Sequence, residues 1–145
     1  MRRIKFLILG IVLLILSSCY WKPEVVTIFK GQIKLSKTPT VIELTKPLYR
    51  TKNLAEIHLS LSRKWYLENT DGNLKFENDE IATINITIID TNGHIYIPKG
   101  YGSSGNNFCA FFSYLPKNIK IVTIKVTSSI EIDCKEISWF CVNPI

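Results

Sequence analysis

Three stretches of the chain alternate apolar and polar residues with a period of two. Ile57, Leu59 and Leu61 alternate with His58, Ser60 and Ser62; Ala82, Ile84, Ile86 and Ile88 with Thr83, Asn85 and Thr87; Val122, Ile124 and Val126 with Thr123, Lys125 and Thr127. Successive side chains on a strand point to opposite faces, so each stretch carries one buried and one wet face. Past residue 24 nothing sustains the 3.6-residue period of an amphipathic helix. The pattern predicts strands at Val25–Leu35 (interrupted near Gly31), Thr40–Leu44, Ala55–Ser62, Ile81–Ile89, His94–Ile97, Phe108–Tyr114, Ile119–Thr127 and Ile137–Val142. Pro39, Pro47, Pro98, Pro116 and Pro144 fall at the edges of these runs or between them, where a missing amide donor is tolerated. Asn92-Gly93 is a strong hairpin signal because both residues accept positive φ, and Asp71-Gly72-Asn73 reads as another turn. Roughly seven to nine short strands in about 125 residues predict an all-β, antiparallel β-sandwich, immunoglobulin-like or C2-like, with a closed barrel as the alternative.

A chain of 145 residues suits one domain, and 46% hydrophobic content excludes a disordered one. The formal charge of +6 is unevenly placed. Arg2, Arg3 and Lys5 lie in the first 18 residues, which hold no acid, leaving 15 basic and 12 acidic groups beyond, net +3. That balance gives no basis for a nucleic-acid partner.

The first residues read as an export signal, with Arg2, Arg3 and Lys5 before an apolar run from Phe6 to Leu16 and small residues Ser17-Ser18 after it. The run has 11 residues, whereas a transmembrane helix needs about 20. Leu16-Ser17-Ser18-Cys19 resembles the lipobox of bacterial lipoproteins: an aliphatic residue, two small ones, then cysteine. The resemblance covers the first 19 residues. It implies a signal helix removed as residues 1–18, a diacylglycerol on the Cys19 sulfur, and acylation of the new α-amino group. Each buried CH₂ contributes about 0.8 kcal/mol, so two or three chains anchor stably where one is marginal. Residue 20 is Tyr rather than the Asp that retains many such lipoproteins at the inner membrane. In a Gram-negative host the resemblance therefore implies the periplasmic face of the outer membrane. Residues 19–24 would be the lipidated cysteine and its tether, and 25–145 a single β-sandwich domain.

Gly100-Tyr101-Gly102-Ser103-Ser104-Gly105 matches G-x-G-x-x-G and follows an apolar run. Dinucleotide binding needs a helix next, whose amides hold the pyrophosphate, but Asn106 to Pro116 is aromatic and strand-like. A Walker loop fails too, since Asn106 and Asn107 stand where Lys and Ser/Thr are required. The expectation is a flexible polar loop, Lys99–Asn107, in which Lys99, Tyr101, Asn106 and Asn107 are the candidates for contacting a partner. His58 and His94, 36 residues apart, could serve with Cys109 as a nucleophile–base pair or with an acid as a metal site, but they match no ligand spacing; His58, on the polar phase of its strand, is expected to be solvated. Glu77, Asp79 and Glu80, with Asp71 nearby, lack the full Ca²⁺-loop pattern and read as a hydrated connection. Arg63-Lys64-Trp65-Tyr66 suits either stacking on a ligand or lipid headgroups, or a strand end with Trp65 packed inward.

With Cys19 acylated, Cys109, Cys134 and Cys141 remain for an oxidising compartment. Cys134 and Cys141 on one strand would sit about 23 Å apart, against the roughly 4.4–6.8 Å a bridge needs. A hairpin at Lys135-Glu136 would reunite them; otherwise Cys109 bridges one of the two. No catalytic group, metal or cofactor is predicted. The chain reads as a membrane-anchored, non-catalytic binding lipoprotein with a protein partner in the cell envelope. Its size, anchor and fold resemble immunity or exclusion lipoproteins directed against toxins or phage, and the alternative is a structural or assembly component of an envelope complex.

Overall fold

The computed structural model describes residues 22–143. The expected signal helix, the lipobox with Cys19, and the tether before Lys22 lie outside the described residues. Among those described, eleven strands pair, all antiparallel, into two packed sheets. The first sheet has the order β1 (Glu24–Leu35), β11 (Ile132–Val142), β3 (Leu54–Leu61), β9 (Asn107–Phe112) and β8 (Gly100–Ser104). The second runs β2 (Thr40–Leu48), β10 (Ile121–Ser128), β6 (Ile81–Asp90), β5 (Asn73–Phe76) and β4 (Trp65–Leu67), with β7 (Ile95–Tyr96) also on β6. No helix among the described residues is long and apolar enough to cross a membrane.

Alternation builds the core. Ala82, Ile84, Ile86 and Ile88 of β6 face Ala55, Ile57 and Leu59 of β3 across the sandwich, all fully buried with Phe108, Ile124, Val126 and Ile137. Each large side chain so buried contributes about 1.5–3 kcal/mol. On β10 the expected phase is broken: the register shifts between Ile121 and Thr123, so Ile121 and Ile124 both reach the core while Val122 is only half-buried. A bulge inserts one residue, and the residues before it switch faces.

The strands absent from the sequence reading are short. β4 has three residues, β5 four, and β8 five that include Gly100 and Gly102. Pro47 lies inside β2 rather than beyond it, which is allowed because β2 is an edge strand. The other long edge, β1, has register shifts between Thr27 and Phe29 and between Lys30 and Ile33. Such irregularity, with Lys30 and Lys34 on the strand, discourages pairing with another chain.

Candidate functional site

The G-x-G-x-x-G stretch is a hairpin, not a flexible loop. Gly100 to Ser104 pairs with Phe111 to Asn107, and Gly105 turns the chain with φ +58°. Asn106 is not in the positive-φ region, so the two-residue connection has the glycine-first pattern of a II′ turn. Asn106 is exposed at the tip and Asn107 half-buried at its base, while Lys99 is exposed at the opposite end of β8. Tyr101 is not available to a partner. It is 8% exposed, stacks on Phe108 at 5.2 Å, and its hydroxyl accepts a hydrogen bond from the Ile86 amide at 3.0 Å. Its alternation partner on β9 is Ala110, a core residue, which fixes its side chain inward.

The hairpin tip faces the segment joining β3 to β4. Together they border an open groove of about 640 Å³, lined by Arg63, Lys64, Trp65 and Tyr66 on one side and Ser103 and Asn106 on the other. Trp65 forms the floor, edge-on to Phe108 at 5.9 Å, which settles its packing as inward. Tyr66 points out and is 54% exposed. Arg63 lies 4.1 Å over the Phe76 ring and donates to Glu80 at 2.8 Å; Lys64 reaches Glu77 at 3.0 Å. Hydrogen bonding to Arg63 holds the Glu80 carboxyl below its usual range, and Lys75 does the same for Asp79 at 2.9 Å. The acidic stretch is therefore three carboxylates each beside its own cation on the wet surface, with Asp71 exposed.

The histidines part company. His94 is exposed and bonds the buried Asp90 through Nδ1 at 3.1 Å. Asp90 also accepts from the amides of Asn92 and His94 and from the Tyr96 hydroxyl. Burial pushes that carboxyl up, but these donors outweigh it and hold its pKa below the ordinary value. His58, expected in water, is 5% exposed. It lies mid-strand on β3, at the centre of its sheet, stacked at 3.8 Å and 13° on Phe140 of β11. Its Nε2 meets Glu56 Oε2 at 2.6 Å, and on the other side it stands opposite Cys109. Glu56, His58 and Cys109 each bring one polar donor atom to within 4.8 Å of the others. The i, i+2 spacing of Glu56 and His58 is local in the sequence, whereas the adjacency of Cys109 to them is set by the pairing of β9 with β3. Read as base, orienting acid and nucleophile, the three fail on access. Cys109 is 0% exposed, and burial with the Glu56 charge pushes its thiol up to about 12.

The expected disulfide is not formed: Cys109, Cys134 and Cys141 are free and buried. Cys134 and Cys141 lie on one strand and face the core. Cys109 points the other way, since its neighbours Phe108 and Ala110 face the core, and β3 separates it from β11. Two strand spacings make about 9.6 Å, beyond the reach of a bridge. Cys141 instead donates to the Tyr49 carbonyl at 3.5 Å, and burial raises the Cys134 thiol to about 11.

Fold and site together define a two-sheet antiparallel β-sandwich with a surface groove at one end. No family model and no curated protein matches the chain. Among solved structures it is similar to one titled "Structure of infectious bursal disease virus Gt strain", at 13% identity and a TM-score of 0.36. The match covers 83% of this chain and about a third of that one (32%).

Proposed function

We propose that this protein is a lipid-anchored binding lipoprotein of the bacterial envelope, of immunity or exclusion type, which captures a toxin or phage protein in the groove between Arg63–Tyr66 and the β8–β9 tip. The observation that carries this reading is the groove itself. Exposed Tyr66 offers a large contact surface with few rotatable bonds, Asn106 and Ser103 offer adaptable hydrogen bonds, and such residues suit recognition of another protein. The ion pair that ties Lys64 to Glu77 is solvent-exposed, hence weak, and Lys64 can turn to a partner at little cost, while Arg63 is held in place by Glu80, Asn78 and the Phe76 ring and presents a fixed charge. The lining residues include no acid, histidine or cysteine, so the reading assigns the groove occlusion rather than chemistry. Acylation at Cys19 would place the groove at the membrane an invader must cross, facing the periplasm in a host with two membranes.

The first four residues of β1 favour the assembly alternative, because Glu24–Thr27 is a regular edge with Val25 and Val26 about half exposed. One experiment separates the two. A deletion strain complemented with wild type should resist sister-cell toxins or phage, whereas Tyr66→Ala/Asn106→Ala, accumulating to the same level, should not. Full resistance without the gene, combined with loss of an envelope complex, would reject capture in favour of assembly.

A further inference from the structure

We propose that Glu56, His58 and Cys109 form a binding site for one zinc-type divalent cation on the outer face of the five-stranded sheet, independent of the groove. The placement is set by the backbone. Residues i and i+2 of a strand share a face, and the residue opposite on the next strand shares it too. Glu56 and His58 on β3 with Cys109 opposite His58 on β9 therefore present three ligands to one point from two rigid, central strands. Their donor atoms already lie within 4.8 Å of one another. Bond lengths of about 2.0–2.3 Å to zinc require separations near 3.5 Å in a tetrahedral site, so the 2.6 Å His58–Glu56 contact must open, and any pair near the 4.8 Å limit close, by about an ångström, which side-chain rotation can supply.

An independent observation says that something is missing there. His58 is 5% exposed, and its Nδ1 is buried without a hydrogen-bond partner. Of the two ring nitrogens only Nε2 has a partner, Glu56 Oε2 at 2.6 Å, so the surrounding protein leaves the ring half-satisfied whichever nitrogen carries the proton. Such a group buried alone is costly and uncommon. A Lewis acid drawn to this cluster would find a nitrogen, a sulfur and an oxygen ligand.

Charge and softness select the ion. A carboxylate and a thiolate bring two negative charges, which a divalent cation cancels, leaving a neutral complex suited to a site walled by Phe140 on one side of Glu56 and Phe111 on the other. The mixed N, S and O set fits zinc, whereas Ca²⁺ and Mg²⁺ require oxygen ligands. Binding displaces one proton from the Cys109 thiol to solvent and changes no oxidation state.

The test uses the full chain, purified in detergent under reducing conditions and titrated with Co²⁺, then Zn²⁺. One equivalent of Co²⁺ should produce a near-ultraviolet thiolate-to-metal band that Zn²⁺ abolishes and Ca²⁺ or Mg²⁺ does not. Cys109→Ser should remove the band, and His58→Gln should weaken binding at least tenfold. Single Cys19→Ser, Cys134→Ser and Cys141→Ser variants should keep the band. No stoichiometric band in the wild type overturns the proposal without recourse to any variant. So does a band that survives Cys109→Ser, or one that is lost only with another cysteine.

Discussion

The Ile86 amide falls on β6 in the gap between β5, which pairs up to Thr83, and β7, which pairs from Ile88. It has no strand to bond on that side, and the Tyr101 hydroxyl reaches across from the other sheet to accept its hydrogen. Removing only that oxygen, as in Tyr101→Phe, should cost about 1–3 kcal/mol, the penalty of a buried amide left unpaired. Urea unfolding would measure it, and partner capture should be unchanged because the ring stays in the core. Gly72 is a second point where one atom decides. Its φ is +91°, and a Cβ there would stand 2.5 Å from the Ile84 carbonyl oxygen. Gly93 has φ +82° with nothing within 4 Å, so Gly93→Ala should show backbone strain alone, about 1–2 kcal/mol. Gly72→Ala should exceed it by a further 1–3 kcal/mol or so from overpacking. Equal losses in parallel denaturant titrations would refute the close approach.

At the scale of elements, the β6–β7 turn is organised by one carboxylate. Asp90 is held ionised by the amides of Asn92 and His94 and by Tyr96, so its pKa in the folded chain lies below that in the unfolded chain. Its contribution to stability is complete above the unfolded value, about 3.9, and fades as pH falls through the lower folded value. The unfolding midpoint should therefore drop on acidification, and Asp90→Asn should flatten that drop; an unchanged slope would exclude Asp90 as its source. The turn was legible in Asn92-Gly93, and β3 and β6 were legible in their alternation, because each signal is local. β4, β5 and β8 were not, since three to five residues are too few to establish a period and β8 is interrupted by Gly100 and Gly102. The β10 bulge was also hidden, as an inserted residue looks like ordinary sequence until a partner strand gives it a register. The candidate site was readable only in pieces. Arg63–Tyr66 and Asn106 stood out by type, but their meeting depends on which strands adjoin. The burial of His58 had the same cause: polar phase predicts a wet face only where neighbouring strands leave it uncovered, and Phe140 of β11 stacks over His58, whereas Asn85 on the central strand of the other sheet stays exposed.

The whole molecule has a polarity that follows from register. Glu24 pairs with Cys141, Cys141 with Ala55, and Ala55 with Phe112, so the chain enters at the end of the sandwich where these residues lie. Leu61 closes β3 at the other end, where the Leu61–Leu67 segment and the Ser103–Asn106 tip border the groove. Eight residues of β3 make that separation about 24 Å. Cys19 stands five residues before Glu24, a reach of at most about 17 Å. On the lipoprotein reading the groove thus points away from the bilayer while the anchor confines it to a thin layer above the surface. Confinement raises effective concentration without adding a contact, so anchoring and recognition should separate cleanly by mutation. Cys19→Ala should leave the chain unacylated and released from membranes, with unfolding behaviour like that of wild type, since the strands of the described residues begin at Glu24. Its solution affinity for a captured toxin should match that of the anchored form, yet protection of cells should fall, whereas Tyr66→Ala/Asn106→Ala should remain membrane-bound and lose affinity. Mass spectrometry of the native mature chain provides the prior check: an acylated Cys19 at the N-terminus is expected. An unmodified Cys19, or equal protection by the released variant, would remove the anchor from the mechanism.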